Sequence, residues 1–434
     1  MNMYLTGFPG MKIDGADGYE KLGFFEIMST PLFYSANAGD RLILRDKKYK
    51  FIVATYAPEI DPKWIYTYDY APDQGWLAYQ YDLKDDGYTQ NDYVFNKQTY
   101  FRVCLQKIDG TMFNADEDIN DIMVFEARPA TPYEVKPWII AETNRVSKIV
   151  AGLRNESTMV FALMTDTHYN VNGTWQDTAA SIKLCHEAIC FDGIIHLGDI
   201  SDGMVTKDAT RYYAKKTISD LESHGIPLWV AIGNHDTNYF RNNPQRFSIK
   251  EQRELYLNGK DLRYFVDLPQ VRLMFLDSFD PEEKLRYGYN NECIDWLNNS
   301  LNNMEPGRKA IIFSHLPPIT RLQFWAKAMR GNEALTGILH RNKNNILAWI
   351  NGHNHADHLD NKEGVPIISV ANAKCESFHE RKPEGFITPD RKLNDNSQEL
   401  WDILLVDAKS STLRFIRFGA GKDRVISNGA AVWL

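Results

Sequence analysis

Two patterns of apolar and polar positions divide the chain. From residue 1 to about 130 the apolar stretches are short, and clusters of Gly, Asp, Asn or Pro separate them. This pattern is typical of a β-sandwich or jelly-roll fold. It predicts strands at residues 41–45, 49–56, 64–70, 76–81, 99–107 and 119–127. The sequence therefore predicts an all-β accessory domain over residues 1–130.

A second pattern begins after residue 150, where apolar runs alternate with amphipathic stretches, as in layered α/β folds. The apolar runs lie at residues 159–164, 193–197, 228–232, 271–276, 310–313, 346–350 and 365–370. Helices are predicted at residues 175–189, 207–224 and 291–304, and two closing strands at residues 399–406 and 412–418. Asp177 is the predicted N-cap of the first of these helices. Residues 131–150 are predicted to be a linker that enters a first helix, and residues 151–434 a second domain.

Four aromatic side chains recur at every second position in the N-terminal domain. They are Trp64, Tyr66, Tyr68 and Tyr70. On a strand they share one face, since side chains alternate across a sheet. That face is predicted to pack against the opposite sheet, and a glycan-binding or cell-wall-binding platform is the alternative.

Composition and charge argue against several classes of protein. The 434 residues include 49 basic and 57 acidic side chains, a net charge of −8, which argues against nucleic acid as a partner. The five cysteines form no CxxC pair, so a structural zinc knuckle is not expected. The sequence shows neither a Sec-type signal peptide nor a transmembrane segment. A cytoplasmic product is predicted, with a phage particle or non-classical export left open.

Six apolar runs end in hydrophilic side chains, and five of these ends carry a recognisable motif. The motifs are Asp166-Thr167-His168, Gly198-Asp199, Gly233-Asn234-His235-Asp236, Ser314-His315 and Gly352-His353-Asn354-His355. In α/β sheets, ligands bind beyond the carboxyl ends of the strands. The five loops are therefore expected to converge on one edge.

The residue types in these loops suit divalent metal ions. Carboxylate and amide oxygens are hard ligands, and imidazole is a borderline one. A single carboxylate bridges two ions about 3.5–4 Å apart in dinuclear sites. Each motif alone is common, whereas all five in this order, each at a strand end, form a specific pattern.

The order DxH, GD, GNHD, H and GHxH resembles the calcineurin-like metallophosphoesterase superfamily over roughly residues 155–420. The resemblance implies an α-β-β-α sandwich with two facing mixed sheets. Purple acid phosphatases of that superfamily carry a tyrosine three residues after the GD aspartate and lack the histidine of the first motif. Here Asp202 and His168 stand at those positions. The chain therefore resembles the non-purple branches, which use manganese, iron or zinc.

The resemblance also implies a role for each motif residue. One metal would be held by Asp166, His168 and His355, the other by Asn234, His315 and His353, with Asp199 bridging both. A metal-bridging hydroxide would attack phosphorus, and His235 would assist the leaving group. Asp236 is predicted to orient His235.

Residues beside the motifs are weaker candidates for the site. Tyr169, Asp202, Asn238 and His358 are predicted to contact substrate, with a helix N-cap as the alternative role of Asp202. The insert between His315 and the GHNH loop, with Trp325 and Arg330, is a predicted lid.

The predicted activity is metal-dependent hydrolysis of a phosphodiester, either a small ester or a phosphate-containing polymer. A phosphomonoesterase is one alternative. Another is a phage or cell-surface structural or glycan-binding protein with an accessory phosphoesterase domain. A nuclease is a fourth reading, and the acidic net charge counts against it.

Overall fold

The computed structural model describes most of the chain, in two compact units within residues 2–134 and 135–434. The described residues are 2–13, 20–56, 81–83, 88–129, 132–169, 174–201, 203, 206–239, 245–323, 328–375 and 385–434. The strand predicted at residues 64–70 lies outside them, as does all but Tyr81 of the one predicted at residues 76–81. The glycan-platform hypothesis therefore stays a prediction.

The first unit consists of antiparallel strands and one helical turn. The strands are β1 (Asn2–Met3), β2 (Phe8–Ile13), β3 (Glu20–Ser29), β4 (Tyr34–Ala36), β5 (Arg41–Leu44), β6 (Tyr49–Tyr56), β7 (Tyr81–Leu83), β8 (Tyr93–Val94), β9 (Thr99–Lys107) and β10 (Met123–Glu126), and the turn is α1 (Ile119–Ile122). One sheet has the order β1-β10-β5-β8 and the other β2-β3-β9-β6-β7, with β4 paired to β9. This confirms the all-β class predicted for the N-terminal region.

Alternate side chains of β9 build the core of this unit. Phe101, Val103 and Leu105 share one face and are fully buried. The Phe101 ring lies 4.7 Å from the rings of both Phe95 and Phe125, so aromatic contacts join β9 to other parts of the unit.

The sequence patterns misplace two parts of this unit. Residues 119–127 were predicted as one strand, but the first four are helical because the Asp118 side chain accepts the backbone N–H of Asn120. Strands β2, β3 and β4 were not predicted. The β2–β3 register shifts around Gly10, whose φ is +84°, and this irregularity breaks the alternation that marks a strand.

The second unit interleaves helices and strands. Its helices are α2 (Pro137–Leu153), α3 (Trp175–Ile189), α4 (Lys207–Glu222), α5 (Ile249–Tyr256), α6 (Asn291–Asn302) and α7 (Asn332–Asn342), with 3-10 turns at His235–Thr237, Thr320–Leu322 and Asn396–Gln398. Its strands are β11 (Met159–Met164), β12 (Gly193–His196), β13 (Leu228–Val230), β14 (Tyr264–Asp267), β15 (Val271–Leu276), β16 (Lys309–Ser314), β17 (Ile346–Asn351), β18 (His358–Lys362), β19 (Val365–Ser369), β20 (Leu400–Asp407), β21 (Thr412–Gly419), β22 (Arg424–Ser427) and β23 (Ala430–Trp433).

These strands form two mixed sheets with helices on their outer faces. The seven-stranded sheet has the order β13-β12-β11-β20-β21-β22-β23, and the six-stranded sheet β14-β15-β16-β17-β19-β18. One apolar cluster joins the two sheets, a second joins the seven-stranded sheet to α2 and α3, and a third joins the six-stranded sheet to α6 and α7. The predicted four-layer α-β-β-α sandwich is thus confirmed.

Strand β11 shows why the central strands read as unbroken apolar runs. Phe161 and Leu163 face the other sheet, whereas Val160, Ala162 and Met164 face the helices. Both faces of the strand are buried, so every position is apolar. The run ends where the chain leaves the sheet, and polar side chains can begin only there.

Helix α3 has the predicted bounds, whereas α4 and α6 each end two residues before the predicted end. Helix α3 begins after Thr174, and Asp177 lies in its first turn, where its carboxylate accepts a hydrogen bond from Gln398 Nε2. The predicted N-cap at Asp177 is therefore wrong. Helix α5 was not predicted, although Ser248 and Glu251 form a capping box at its start. Among the described residues, no helix is both long and apolar enough to cross a bilayer.

Candidate metal centre

The five motif loops meet at one edge of the two facing sheets. Strands β11, β12 and β13 are parallel to one another, as are β16 and β17, so their carboxyl ends point the same way within each sheet. Backbone contacts tie the loops together. The N–H of His168 donates to Asp199 O over 2.9 Å, and the N–H of Gly352 donates to His315 O over 3.0 Å.

Five of the predicted ligand residues adopt the left-handed backbone conformation. Their φ angles are +52° at Asp166, +41° at His168, +53° at Asp199, +70° at His353 and +51° at His355. Residues other than glycine rarely adopt this conformation, which costs of order 1–3 kcal/mol in strained cases. Such strain persists where surrounding contacts hold the backbone, and it concentrates at functional sites.

Two glycines allow the loops to approach one another closely. Gly198 has a φ of +97°, and a Cβ there would lie 2.5 Å from Gly233 N. A Cβ on Gly352 would lie 2.7 Å from Asp166 Oδ2. Neither position has room for a side chain, because a neighbouring ligand loop fills that space.

The first ligand set consists of Asp166, His168 and His355. His355 Nε2 lies 3.3 Å and His168 Nε2 3.6 Å from Asp166 Oδ1. The Nε2 atoms of the two histidines are 3.2 Å apart. These three buried side chains can therefore present their ligand atoms to one ion.

The second ligand set contains Asp199, His315 and His353. His315 Nε2 lies 3.1 Å from Asp199 Oδ2 and 3.1 Å from His353 Nδ1. His315 Nδ1 lies 2.9 Å from the carbonyl oxygen of Leu197, which fixes the proton on Nδ1 and leaves the Nε2 lone pair toward the cluster. Asp199 Oδ2 also lies 3.6 Å from His168 Nε2, so this carboxylate reaches both sets.

Buried oxygen atoms on two of the motif loops support cation binding. Among the described residues, Asp166 Oδ1 and Asn234 Oδ1 are buried without a hydrogen-bond partner. Such atoms are costly to bury unless a cation or donor satisfies them. With the imidazole nitrogens around them, they suit two divalent transition-metal ions. The residues therefore fit the dinuclear centre that the sequence predicts.

The electrostatics of the cluster keep its carboxylates ionised. Burial alone would raise the pKa of Asp166, but His355 and His315 beside it hold that pKa well below its usual range. Burial alone would lower the pKa of His315, yet the carboxylates of Asp199 and Asp166 raise it to about 9. Two buried anions thus attract positive charge to the same point, as a metal centre requires.

His235 borders both ligand sets. Its Nε2 lies 4.0 Å from Asp199 Oδ2, and its ring meets the His168 ring edge-on at 4.5 Å. Its backbone N–H donates to Asp199 Oδ1 over 2.8 Å. The side chain is 11% exposed, so part of the imidazole ring reaches solvent.

Asp236 contacts the backbone of the neighbouring loops. Its carboxylate accepts the N–H groups of Asp199, Ile200 and Gly233 over 2.8–2.9 Å. Burial and the charge of Asp199 raise the pKa of Asp236 to about 7. These contacts argue for a role in holding the Asp199 turn, in place of the predicted orientation of His235.

Three other predicted site residues, Asn238, Tyr169 and His358, are among the described residues. Asn238 is fully buried and bonds Thr210 Oγ1 and the carbonyl of Gln245, which argues against a substrate contact. The Tyr169 ring packs against Trp175 and Tyr213. The substrate roles of Tyr169 and His358 stay predictions.

The His358 ring contacts three neighbouring residues. Its ring stacks on Phe386 at 4.1 Å, its Nδ1 lies 2.9 Å from Gly385 O, and its Nε2 lies 3.7 Å from Asp360. Asp202 and Trp325 fall outside the described residues. Arg330 pairs through its backbone with Tyr287 and Tyr289, just before helix α7.

Gln323 is a site residue that the sequence did not reveal. Its side chain is buried, and its amide lies 2.9 Å from His353 Nε2. The contact joins Gln323 Nε2 to the ring nitrogen and helps to fix the orientation of the His353 ring. No motif marks Gln323, and only its place in the insert after His315 hinted at it.

Comparisons with known proteins agree with this geometry. The sequence profile of the calcineurin-like phosphoesterase family matches residues 159–357. No curated protein sequence matches the chain.

Three solved structures are among those to which part of this chain is similar. A dimetal phosphatase from Danio rerio has 16% identity and a TM-score of 0.48, over 62% of this chain and 99% of that one. GAP50, the anchor in the inner membrane complex of Plasmodium, has 12% identity and a TM-score of 0.42, over 63% and 89%. The phosphopantetheinyl hydrolase of Mycobacterium tuberculosis has 14% identity and a TM-score of 0.34, over 54% and 98%.

The family match spans all five motif loops from Asp166 to His355, and the fold has the four layers that the resemblance implies. Residues 159–357 therefore carry a calcineurin-like phosphoesterase domain, which is the domain of a metal-dependent phosphoric ester hydrolase.

Proposed function

We propose that the protein hydrolyses a phosphodiester at a dinuclear metal centre. One ion would be held by Asp166, His168 and His355, the other by Asn234, His315 and His353, with Asp199 shared. The observation that carries the proposal is the position of Asp199, whose Oδ2 lies within 3.6 Å of a histidine from each set. Manganese, iron or zinc suits these ligands equally.

When bound, the two ions supply Lewis-acid polarisation of the phosphoryl group and activation of water. The protein residues hold and orient that chemistry. The backbone N–H of His168 donates to the carbonyl of Asp199, and that of His235 donates to Asp199 Oδ1, which fixes the loops on either side of the shared carboxylate. Asp236 in turn fixes the backbone of Asp199. The reacting groups thus meet a site that needs little rearrangement, which is where electrostatic catalysis is strongest.

His235 is the proposed proton donor to the leaving oxygen. Its ring borders the shared carboxylate but is not needed to complete either ligand set, and its side chain is partly exposed. An imidazole at this place can donate a hydrogen bond or a proton to an alkoxide as the ester bond breaks. A diester with a poor leaving group would gain most from it.

Initial rates on two chromogenic substrates, with added manganese, test the proposal. We expect bis(p-nitrophenyl) phosphate to give the larger kcat/KM, and p-nitrophenyl phosphate the smaller. The reverse order would make the protein a phosphomonoesterase. Metal analysis of the purified protein belongs to the same experiment, and turnover of neither substrate by protein with two bound ions would overturn the proposed function.

A further inference from the structure

Four charged side chains form a buried cluster outside the two ligand sets. They are Asp357, Asp402, Arg417 and Arg424, each at most 1% exposed. Arg417 Nε donates to Asp402 Oδ1 over 2.9 Å, and Arg417 NH2 donates to Asp357 Oδ1 over 2.8 Å. Arg424 NH2 donates to Asp402 Oδ2 over 2.6 Å. Two positive and two negative charges are thus balanced inside the domain.

The cluster joins the two sheets of the sandwich. Asp402 lies on β20, opposite Arg417 on β21, and Arg424 begins β22, all in the seven-stranded sheet. Asp357 belongs to the connection from β17 to β18 in the six-stranded sheet. Asp357 follows His355 by two residues in the chain. Its ion pair with Arg417 therefore reaches the loop that carries His353 and His355, here called the metal loop.

Hydrogen bonds of Asp357 hold the end of the metal loop in place. Its N–H donates to Ile387 O over 2.7 Å, and its carbonyl accepts the N–H of Ile387 over 2.9 Å. Its Oδ1 accepts the N–H of Ala371, which follows β19, over 3.0 Å. The loop that presents His353 and His355 therefore ends on a residue fixed through both its backbone and its side chain.

Arg417 is itself firmly held. Its N–H donates to Asp423 Oδ1 over 2.8 Å, and its carbonyl accepts Arg145 NH2 of α2 over 2.6 Å. Its guanidinium also donates to the carbonyl of Ala420 over 3.2 Å. The guanidinium is therefore a rigid support for whatever it binds, and it binds Asp357.

A buried ion pair contributes little net stability, because the desolvation of its charges offsets their attraction. The metal loop, in contrast, needs support. Both His353 and His355 are in the left-handed conformation, and such strain persists only where the surroundings hold it. We propose that Asp357 and Arg417 are positioning residues that keep the His353–His355 loop in its metal-binding conformation.

This inference rests on the metal centre proposed above, and manganese binding to the intact protein tests it. The Asp357→Asn variant keeps an acceptor for the N–H of Ala371 but removes the charge that Arg417 binds. Arg417→Lys keeps the positive charge but cannot bridge Asp402 and Asp357 at once. We expect each to weaken manganese binding by ~10-fold or more, within the range typical of groups that orient metal ligands. The double variant should lose no more manganese affinity than the single variant with the larger loss, because the two residues act as one unit.

A matched control is Asp267→Asn. Asp267 on β14 makes a two-pronged ion pair with Arg272 on β15, at 2.7 and 2.8 Å, at the far edge of the six-stranded sheet from β18. It should keep native manganese affinity. The rise in melting temperature on adding manganese distinguishes a positioning role from a purely structural one. If Asp357 and Arg417 position the metal loop, this rise is smaller in their variants than in the native protein. If they only stabilise the fold, the melting temperatures without and with manganese fall by the same amount.

Native manganese affinity in Asp357→Asn and Arg417→Lys, or an equal loss in the Asp267→Asn control, would overturn the inference. A native protein that binds two ions but hydrolyses no phosphodiester would instead overturn the proposed function and leave this inference standing. The two failures are therefore distinguishable in one set of titrations.

Discussion

Asp199 is the residue on which both ligand sets depend. Its two oxygens are used differently. Oδ2 faces His168 and His315, whereas Oδ1 accepts the backbone N–H of His235. Its backbone N–H is held by Asp236. A change of charge at this position therefore affects two ions and the adjacent proton donor together.

We expect Asp199→Asn to lose metal and activity together. The amide keeps the size of the side chain but removes the negative charge that faces both cations. Bound manganese, measured by elemental analysis after dialysis, should fall below one ion per chain. The kcat/KM should fall by more than about 100-fold, beyond the effect of most residues that only orient ligands. Two ions retained at native affinity would contradict the shared role of Asp199.

His235→Ala should separate metal binding from turnover. Its ring completes neither ligand set, so the variant should keep both ions while kcat falls by roughly 10²–10⁴-fold on an alkyl ester. The loss should be smallest with p-nitrophenolate, which leaves without a proton. Equal losses on alkyl and nitrophenyl esters would speak against proton donation by His235. Metal content of the same preparation is the control.

At the scale of elements, the loops after the strands are crowded and the helices are not. The GHNH loop places Gly352 against Asp166, whereas Gly152 lies in helix α2 with no atom within 4 Å of an added Cβ. The same substitution therefore has opposite consequences in the two elements.

We expect Gly352→Ala to weaken manganese binding and lower the melting temperature, because the new Cβ would lie 2.7 Å from Asp166 Oδ2. Gly152→Ala, in the last turn of α2, should instead stabilise the protein by at most ~0.5–1 kcal/mol, since Ala favours a helix over Gly. Thermal unfolding with and without manganese measures both. A Gly352→Ala variant with native metal affinity would show that the loop can shift without cost.

Glu399, which immediately precedes β20, is a buried acid whose titration affects stability. Glu399 is 1% exposed, and burial raises its pKa to about 7 from an ordinary value near 4.5. Above pH 4.5, Glu399 is ionised in the unfolded chain but stays protonated in the folded protein. The free energy of unfolding therefore falls as the pH rises from about 4.5 to about 7, by up to ~3 kcal/mol. Glu399→Gln should flatten this part of the profile, measured by urea unfolding at several pH values. An unchanged slope would assign the pH dependence to other groups.

At the scale of the whole molecule, the metal centre draws ligands from both sheets of the sandwich. Asp166, Asp199 and Asn234 follow strands of the seven-stranded sheet, and His315 and His353 follow strands of the six-stranded sheet. Bound ions would therefore join the two halves of the domain, and unfolding would have to release them.

Manganese should raise the unfolding temperature, and a chelator should lower it. With free metal at about 100 times its dissociation constant, one site contributes roughly 2.7 kcal/mol. Calorimetry with manganese and with EDTA measures the shift. An unfolding temperature that is the same with manganese and with EDTA would contradict metal binding to the folded protein.

Much of the site was predictable because the buried strands have apolar side chains on both faces. Runs such as Met159–Met164 and Val271–Leu276 match β11 and β15 residue for residue. Polar ligands can stand only at the ends of such runs, so Asp166 and His168 were visible in the sequence. Local capping chemistry was harder to read, as the helical turn at Ile119–Ile122 shows.

Contacts between residues far apart in the chain were not predictable. Gln323 meets His353 across 30 positions, and Arg417 meets Asp357 across 60. Neither lies in a motif, and a glutamine or arginine on the way to a strand resembles any surface residue in sequence. Only the packing of the two sheets brings these side chains to the metal loop.

The charge cluster around Arg417 also has a consequence for engineering. Common stabilisation strategies replace buried ions with apolar side chains of similar volume, and such replacements often raise melting temperatures. Applied here, the same strategy would remove the support of the His353–His355 loop and select heat-resistant but inactive variants. Screens for thermostability should therefore score hydrolysis alongside heat resistance, since a trade-off between the two is expected at these four positions.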